Sequence, residues 1–279
     1  QEEWWATKRI RERDGMFVQM AKHILAKHEP QVLLMHLVEL DHTQHGKGPR
    51  TSEAYDSLKA ADARVGEMWE FLKTTFPGRA TLLVVSDHGF FPWRQAILPN
   101  VLLRQEGLLR AIGGKITKDS KVRAVDQGGS SFIYILDKEN RASIAASLTA
   151  SFKSVEGIAA VLAPADFAPY GLGDPATNSQ VPDLVLTAKS GYVFFDVAGG
   201  DEIVTAKEDR LRGTHGYNPD EPAMQATFIA AGAGIQSGAT LGAISNTSVA
   251  PTIAALLGLK MPSADGPVLQ EILETKAAE

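Results

Sequence analysis

The chain has 279 residues, no cysteine and a formal net charge of -5, from 28 lysines and arginines against 33 aspartates and glutamates. That length suits one large domain, which would hide roughly 75% of its unfolded surface. The charge balance lacks the basic footprint of a nucleic-acid groove binder, and the lack of cysteine removes disulfides and thiolate metal sites without naming a compartment. The longest apolar stretches, around residues 228–235 and 249–259, fall short of the ~20 residues a membrane span needs. The chain opens on Gln1-Glu2-Glu3-Trp4-Trp5 with no initiator methionine and no signal-like segment, so it reads as a processed end or a cut.

In chain order, residues 5–27 carry Ile10, Met16, Phe17, Met20, Ile24 and Leu25 at helical spacing, ending near Pro30. Residues 32–38 form a near-continuous apolar run, as expected of a parallel strand buried on both faces, and place His36 inside a core. Residues 52–74 return to helical period and stop at Pro77-Gly78. Thr81 to Val85 is the next buried strand. Strands are expected over 131–136, 182–186, 192–195 and 225–231, and helices over 141–152 and 249–257. The stretch of about 157–212 mixes Pro, Gly, Asp and short apolar pairs, and reads as loops and small strands covering a site. Helix and strand in alternation imply an α/β fold, a doubly wound and mostly parallel sheet with helices on both faces, in one domain over 1–279.

Three short stretches carry the chemistry: LDHTQHG with Asp41 and His45, SDHGF with Asp87 and His88, and GTHGY with His215. Carboxylates and imidazoles are the ligands that zinc and similar divalent ions take. Asp41 and Asp87 each follow an apolar, strand-like run, where function gathers in open α/β sheets. Asp41 and His45 are four apart, so one helical turn brings them to one side. Asp87 and His88 are adjacent and can serve one ion only where the chain turns, which Gly89 permits. His42 and Thr214 adjoin ligand positions and could orient them through a hydrogen bond. Gly128 and Gly129 lack the lysine and the spacing of a phosphate loop, and His23 and His28 read as surface.

The run from His36 through Phe90, with LDHTQHGKGP, a long helix and VVSDHGF, resembles the type I phosphodiesterase and nucleotide pyrophosphatase branch of the alkaline phosphatase superfamily. GTHGYNPDEPAMQATFIAAGAGI and NTSVAPTIAALLGL extend the resemblance towards the C-terminus. It implies an alkaline-phosphatase-like fold and two divalent ions, zinc above all. One would be held by Asp41, His45 and His215, the other by Asp87 and His88. Relatives carry a further metal-binding aspartate and a threonine or serine nucleophile near their start. No residue before Asp41 matches these, so the resemblance implies a domain lacking its N-terminal part, with the nucleophile upstream of residue 1. Gln44 stands where many relatives have glycine.

The implied activity is hydrolysis of small phosphate esters or nucleotides. Two ions about 4 Å apart would hold the phosphoryl group between attacking and leaving oxygens. Alternatives within the superfamily are a phosphomonoesterase, a phosphonate hydrolase and a phosphosugar mutase; a sulfatase would need a C/S-x-P-x-R run that this sequence lacks. Outside catalysis, the alternative is a catalytically incomplete metal-binding module. Relatives are often exported, so the resemblance points to a periplasmic or extracellular location. Strands left unpaired by a missing neighbour would favour pairing of two copies into a homo-dimer.

Overall fold

The computed structural model describes residues 10–274. Its elements in chain order are α1 (Ile10–His28), α2 (Glu39–Lys47), α3 (Ser52–Thr75), β1 (Thr81–Val85), β2 (Phe91–Ile97), α4 (Pro99–Gln105), β3 (Ala111–Ile112), β4 (Lys115–Ile116), β5 (Val122–Asp126), β6 (Ser130–Ile135), α5 (Arg141–Lys153), β7 (Ile158–Leu162), β8 (Leu184–Ala188), β9 (Gly191–Phe194), β10 (Arg212–Thr214), β11 (Phe228–Gly232) and α6 (Val249–Leu256). They fall into two compact units. Among the described residues, the first comprises 10–42, Tyr55–Asp87 and 226–274, and the second Thr43–Ala54 and His88–Gln225. Apart from the strand expected over 32–38, the expected helices and strands begin and end within a few residues of the expectations, and residues 5–9 of the first expected helix lie outside the described residues.

In the first unit, α1 buries Asp14, Val18 and Ala21, a stripe spaced by four and three residues. Val18 and Ala21 meet Met68 of α3. The buried face is not the one expected from Met16 and Met20, which instead line an open groove with Gln19 and Arg64. β1 pairs with β11 in an antiparallel ladder from Thr81↔Gly232 to Val85↔Phe228. Behind β11, Ile235, Leu269 and Ile272 form a second small cluster, against which Leu256 of α6 packs.

Residues 32–38 correct one expectation: no strand forms there among the described residues. Leu33, Met35 and Leu37 pack on the α1–α3 cluster, whereas Val32, Leu34 and His36 are exposed, Leu34 by 86%. The run is thus apolar on both sides but packed on one, and His36 is a surface residue rather than a core histidine.

The second unit holds the larger core. A four-stranded sheet runs β5-β6-β8-β7, all neighbours antiparallel. Every residue of β8 is buried. On α5, Ile144, Leu148 and Phe152 recur at every fourth residue and pack on that sheet's cluster. Burying a side chain such as Leu148 or Phe152 contributes about 1.5–3 kcal/mol. A three-stranded sheet, β10-β2-β9, pairs β2 with β9 in parallel and with β10 antiparallel.

The α/β character matches expectation, but strand direction does not: β2–β9 is parallel, and the other described ladders are antiparallel. β5 and β6 are joined by Gln127, Gly128 and Gly129 alone, a link short enough for a hairpin but not for a parallel crossover. β1 and β11 lie far apart in sequence, so no local signal sets their direction.

Candidate metal centre

α2 carries both Asp41 and His45 and links the two units along the chain, Asp41 belonging to the first and His45 to the second. The helical turn expected between them is present. In the second unit the C-terminal end of α2 is closed by the Gly48 N–H donating to the Gln44 carbonyl at 2.8 Å. Gly48 has φ +85°, the left-handed conformation that commonly ends helices. Arg210 Nη2 donates to the Gly46 carbonyl at 2.7 Å, further fixing that end.

The β2–β10 ladder brings the other two histidines together. Thr214 lies opposite Phe91 and Gly213 opposite Pro92, so His215 and the His88–Phe90 segment leave the ladder side by side. The His88 and His215 rings stack, with centroids 3.7 Å apart and an interplanar angle of 17°. His45 meets His215 edge-on at 5.0 Å. Phe90 touches all three rings edge-on, at 5.0 Å from His45, 5.5 Å from His88 and 5.6 Å from His215.

Backbone carbonyls set how two of these rings are presented. His45 Nδ1 lies 3.1 Å from the Gly213 carbonyl, and His88 Nδ1 lies 3.0 Å from that of Gly89. A carbonyl only accepts, so Nδ1 carries the proton in each neutral ring and the lone pair sits at Nε2. Metal-ligating histidines are commonly held in this way. Three clustered imidazoles, two of them with the lone pair at Nε2, are side chains of the type that zinc takes.

Glycines allow the close approaches. A Cβ on Gly213 would lie 2.6 Å from the Gln44 carbonyl oxygen, so a side chain there would push α2 off β10. The chain bends at Asp87, and Gly89, whose φ is not left-handed, serves there by contact, since a Cβ would sit 2.0 Å from the Ala223 carbonyl oxygen. The Gly89 and Phe90 N–H groups donate to Met224 and Ala223 at 3.0 and 3.1 Å.

Within the second unit the structure therefore brings together His45, His88 and His215. Asp41 and Asp87 belong to the first unit, each tied by the chain to one of these histidines, Asp41 through α2 and Asp87 as the residue before His88. Asp87 is exposed and Asp41 half-buried. His42 is exposed, while Thr214 is buried within the β10 ladder. Sequence reasoning missed Phe90, because it is not a ligand type, although its place directly after D-H-G marked it as near the site. It also missed Gly129, whose N–H donates to the His215 carbonyl at 2.7 Å.

Residues 1–218 match the family described as type I phosphodiesterase / nucleotide pyrophosphatase. The chain belongs to that family. A comparison with curated proteins finds no match. Among solved structures, an inactive variant of murine ectonucleotide pyrophosphatase / phosphodiesterase 5 in complex with AMP superposes with a TM-score of 0.69 at 18% identity, covering 96% of this chain and 64% of that one. The alkaline phosphatase PafA superposes with a TM-score of 0.65 at 16% identity, covering 95% of this chain and 53% of that one. Phosphonoacetate hydrolase from Sinorhizobium meliloti 1021, solved with phosphonoformate, gives 0.51 at 19% identity over 79% of this chain and 50% of that one. The chain thus spans less than two thirds of the length of each, and these likenesses establish the alkaline-phosphatase-like fold. As a type I phosphodiesterase family member it carries the D-x3-H, D-H-G and H-G pieces in order.

Proposed function

We propose that the chain is the metal-holding part of a phosphoester hydrolase of the phosphodiesterase or nucleotide pyrophosphatase type, working with two divalent ions, zinc by preference. Asp41, His45 and His215 would hold one ion, and Asp87 and His88 the other. The observation that carries this reading is the cluster of His45, His88 and His215, with Nδ1 of His45 and His88 held by backbone carbonyls. Family membership supplies the reaction class.

When bound, two such ions neutralise charge on a phosphoryl group and activate the oxygens on either side of it. The chain's own residues orient. Gly213 and Gly89 carbonyls fix the His45 and His88 rings, Phe90 walls them on an apolar side, and the Gly129 N–H holds the backbone of His215. Preorganised positioning of this kind is the main protein contribution to phosphoryl transfer. A small nucleotide or other phosphate ester is the fitting substrate class.

Zinc titration followed by native mass spectrometry tests the metal part. Wild-type protein should retain zinc, and His215→Ala or Asp41→Ala should weaken binding of one ion by at least about tenfold; unchanged affinity in both variants would overturn the ligand assignment. For the reaction, whatever nitrophenolate the protein releases from bis(p-nitrophenyl) phosphate should exceed that from p-nitrophenyl phosphate. The reverse order would point to a phosphomonoesterase.

A further inference from the structure

The stripe that α1 buries contains an aspartate, and that aspartate leads to the candidate metal centre. Asp14 is 3% exposed. Its two carboxylate oxygens accept from the Val38 N–H at 3.0 Å and the Glu39 N–H at 3.1 Å, at the N-terminus of α2. The first intrahelical bond runs from the His42 N–H to the Val38 carbonyl, so Val38 occupies the N-cap position. Valine has no oxygen with which to cap, and α2 at nine residues is too short to persist on its own. The cap is delivered instead from α1, twenty-four residues upstream, by a full negative charge facing the positive end of the helix.

A second contact locks the same turn. Glu39, 6% exposed, accepts from Arg11 Nε at 2.6 Å and from Ser57 Oγ at 3.0 Å. Asp14 and Arg11 come from α1, and Ser57 from α3, so the start of α2 is gripped from both flanking helices. Asp41 lies two residues beyond Glu39, and His45 one further turn along. A rotation of α2 about its axis would swing both away from their present direction, because residues four apart share one face.

We infer that Asp14 is a positioning residue for the metal centre, setting the rotation and order of α2 and, through it, of Asp41 and His45. This rests on the metal-holding function proposed above. The test uses Asp14→Asn, which keeps the size but removes the charge and one accepting oxygen, and Ser57→Ala as a milder release of the same turn. Met68→Ala is the control, since it loosens α1–α3 packing without touching the cap.

Cobalt(II) serves as the probe, through its visible absorption and its affinity, alongside amide hydrogen exchange of the metal-free protein. In Asp14→Asn, exchange at residues 42–47 should rise while that of α5 stays unchanged. Cobalt affinity should fall about tenfold with an altered spectrum. Ser57→Ala should move the same readouts less, and Met68→Ala should lower the melting temperature with spectrum and affinity intact. Wild-type exchange, affinity and spectrum in Asp14→Asn would overturn the inference, as would an equal effect of Met68→Ala. A wild-type protein that takes up no cobalt would instead bring down the metal reading itself, and the inference with it.

Discussion

The two units differ in how they hold their residues in place. The second packs the β5-β6-β8-β7 sheet and α5 around one continuous cluster that includes Leu148, Phe152, Ile133, Leu186 and Phe194, each fully buried or nearly so. Among the described residues, the first relies on two clusters of three buried residues each, Val18, Ala21 and Met68, and Ile235, Leu269 and Ile272. It also exposes Leu34, Val32, Val85 and Ile229. Where apolar burial is sparse, polar contacts do more of the positioning, as in the Asp14 and Glu39 bonds to α2 and the convergence of Gln19, Lys22 and Arg64 on Glu67. The start of α2, which leads on to Asp41, thus stands on a polar frame. Local opening should begin where contacts are fewer, so the first unit should open ahead of the second.

The strongest way to break this contrast is to cut into both cores. Phe152→Ala removes a side chain with no exposure and should cost about 3–5 kcal/mol in urea unfolding. Met68→Ala, 4% exposed but ringed by partly buried neighbours that can close in, should cost about 2 kcal/mol, near the low end of the range for such changes. Equal losses would mean that the first unit is packed as tightly as the second.

A smaller cut distinguishes backbone from side-chain tolerance. Gly216, next to His215, has φ +78°, and a Cβ there would lie 1.9 Å from the Gln127 carbonyl oxygen. Gly216→Ala combines left-handed strain with a backbone clash, so we expect a loss of about 2 kcal/mol together with weaker metal retention as His215 shifts. In the first unit, Gly234 has a similar φ of +74°, but its Cβ would meet only Leu256 Cδ2 at 3.0 Å. That side chain can rotate away, and Gly234→Ala should cost about 1 kcal/mol. Paired thermal melts of the two variants, with metal content measured on each, check the ordering.

The three clustered histidines could be singled out in the sequence because each stands in a short motif with its own punctuation, and β2 and β10 then bring two of those motifs side by side. The long helices were legible through their period, and β1 through its run of apolar residues. Three features were not. The run 32–38 has a strand's composition on both sides, and nothing local says that only Leu33, Met35 and Leu37 find a surface to pack on. The antiparallel pairing of β1 with β11 joins segments with no short connection. Asp14 sits at a core position of α1, where an acidic residue reads as a break in the apolar stripe; its partner is a helix terminus far along the chain, visible only once the fold sets α1 beside α2.

The finest test of the contrast lies at the rim of the second unit, where its packing has left a charge at a disadvantage. Burial pushes the Asp126 carboxyl up from its ordinary range, and the nearby Asp196 charge pushes it further. The folded state therefore holds the Asp126 proton to higher pH than the unfolded chain does. Between the two pKa values the folded form binds more protons, so stability falls as pH rises through that window and the penalty is complete at neutral pH. Asp126→Asn should raise the melting temperature at pH 7 by at most about 2 °C, since the partly exposed site is screened by solvent. The gain should fade as pH falls through the ordinary aspartate range and vanish below about pH 3, where the wild-type carboxyl is protonated in both states. Asp196→Asn removes only the lesser of the two causes and should gain less. A stabilisation that persists undiminished at low pH would show that Asp126 acts through its hydrogen bonds rather than its charge, and that the second unit's tight packing exacts no electrostatic cost at this edge.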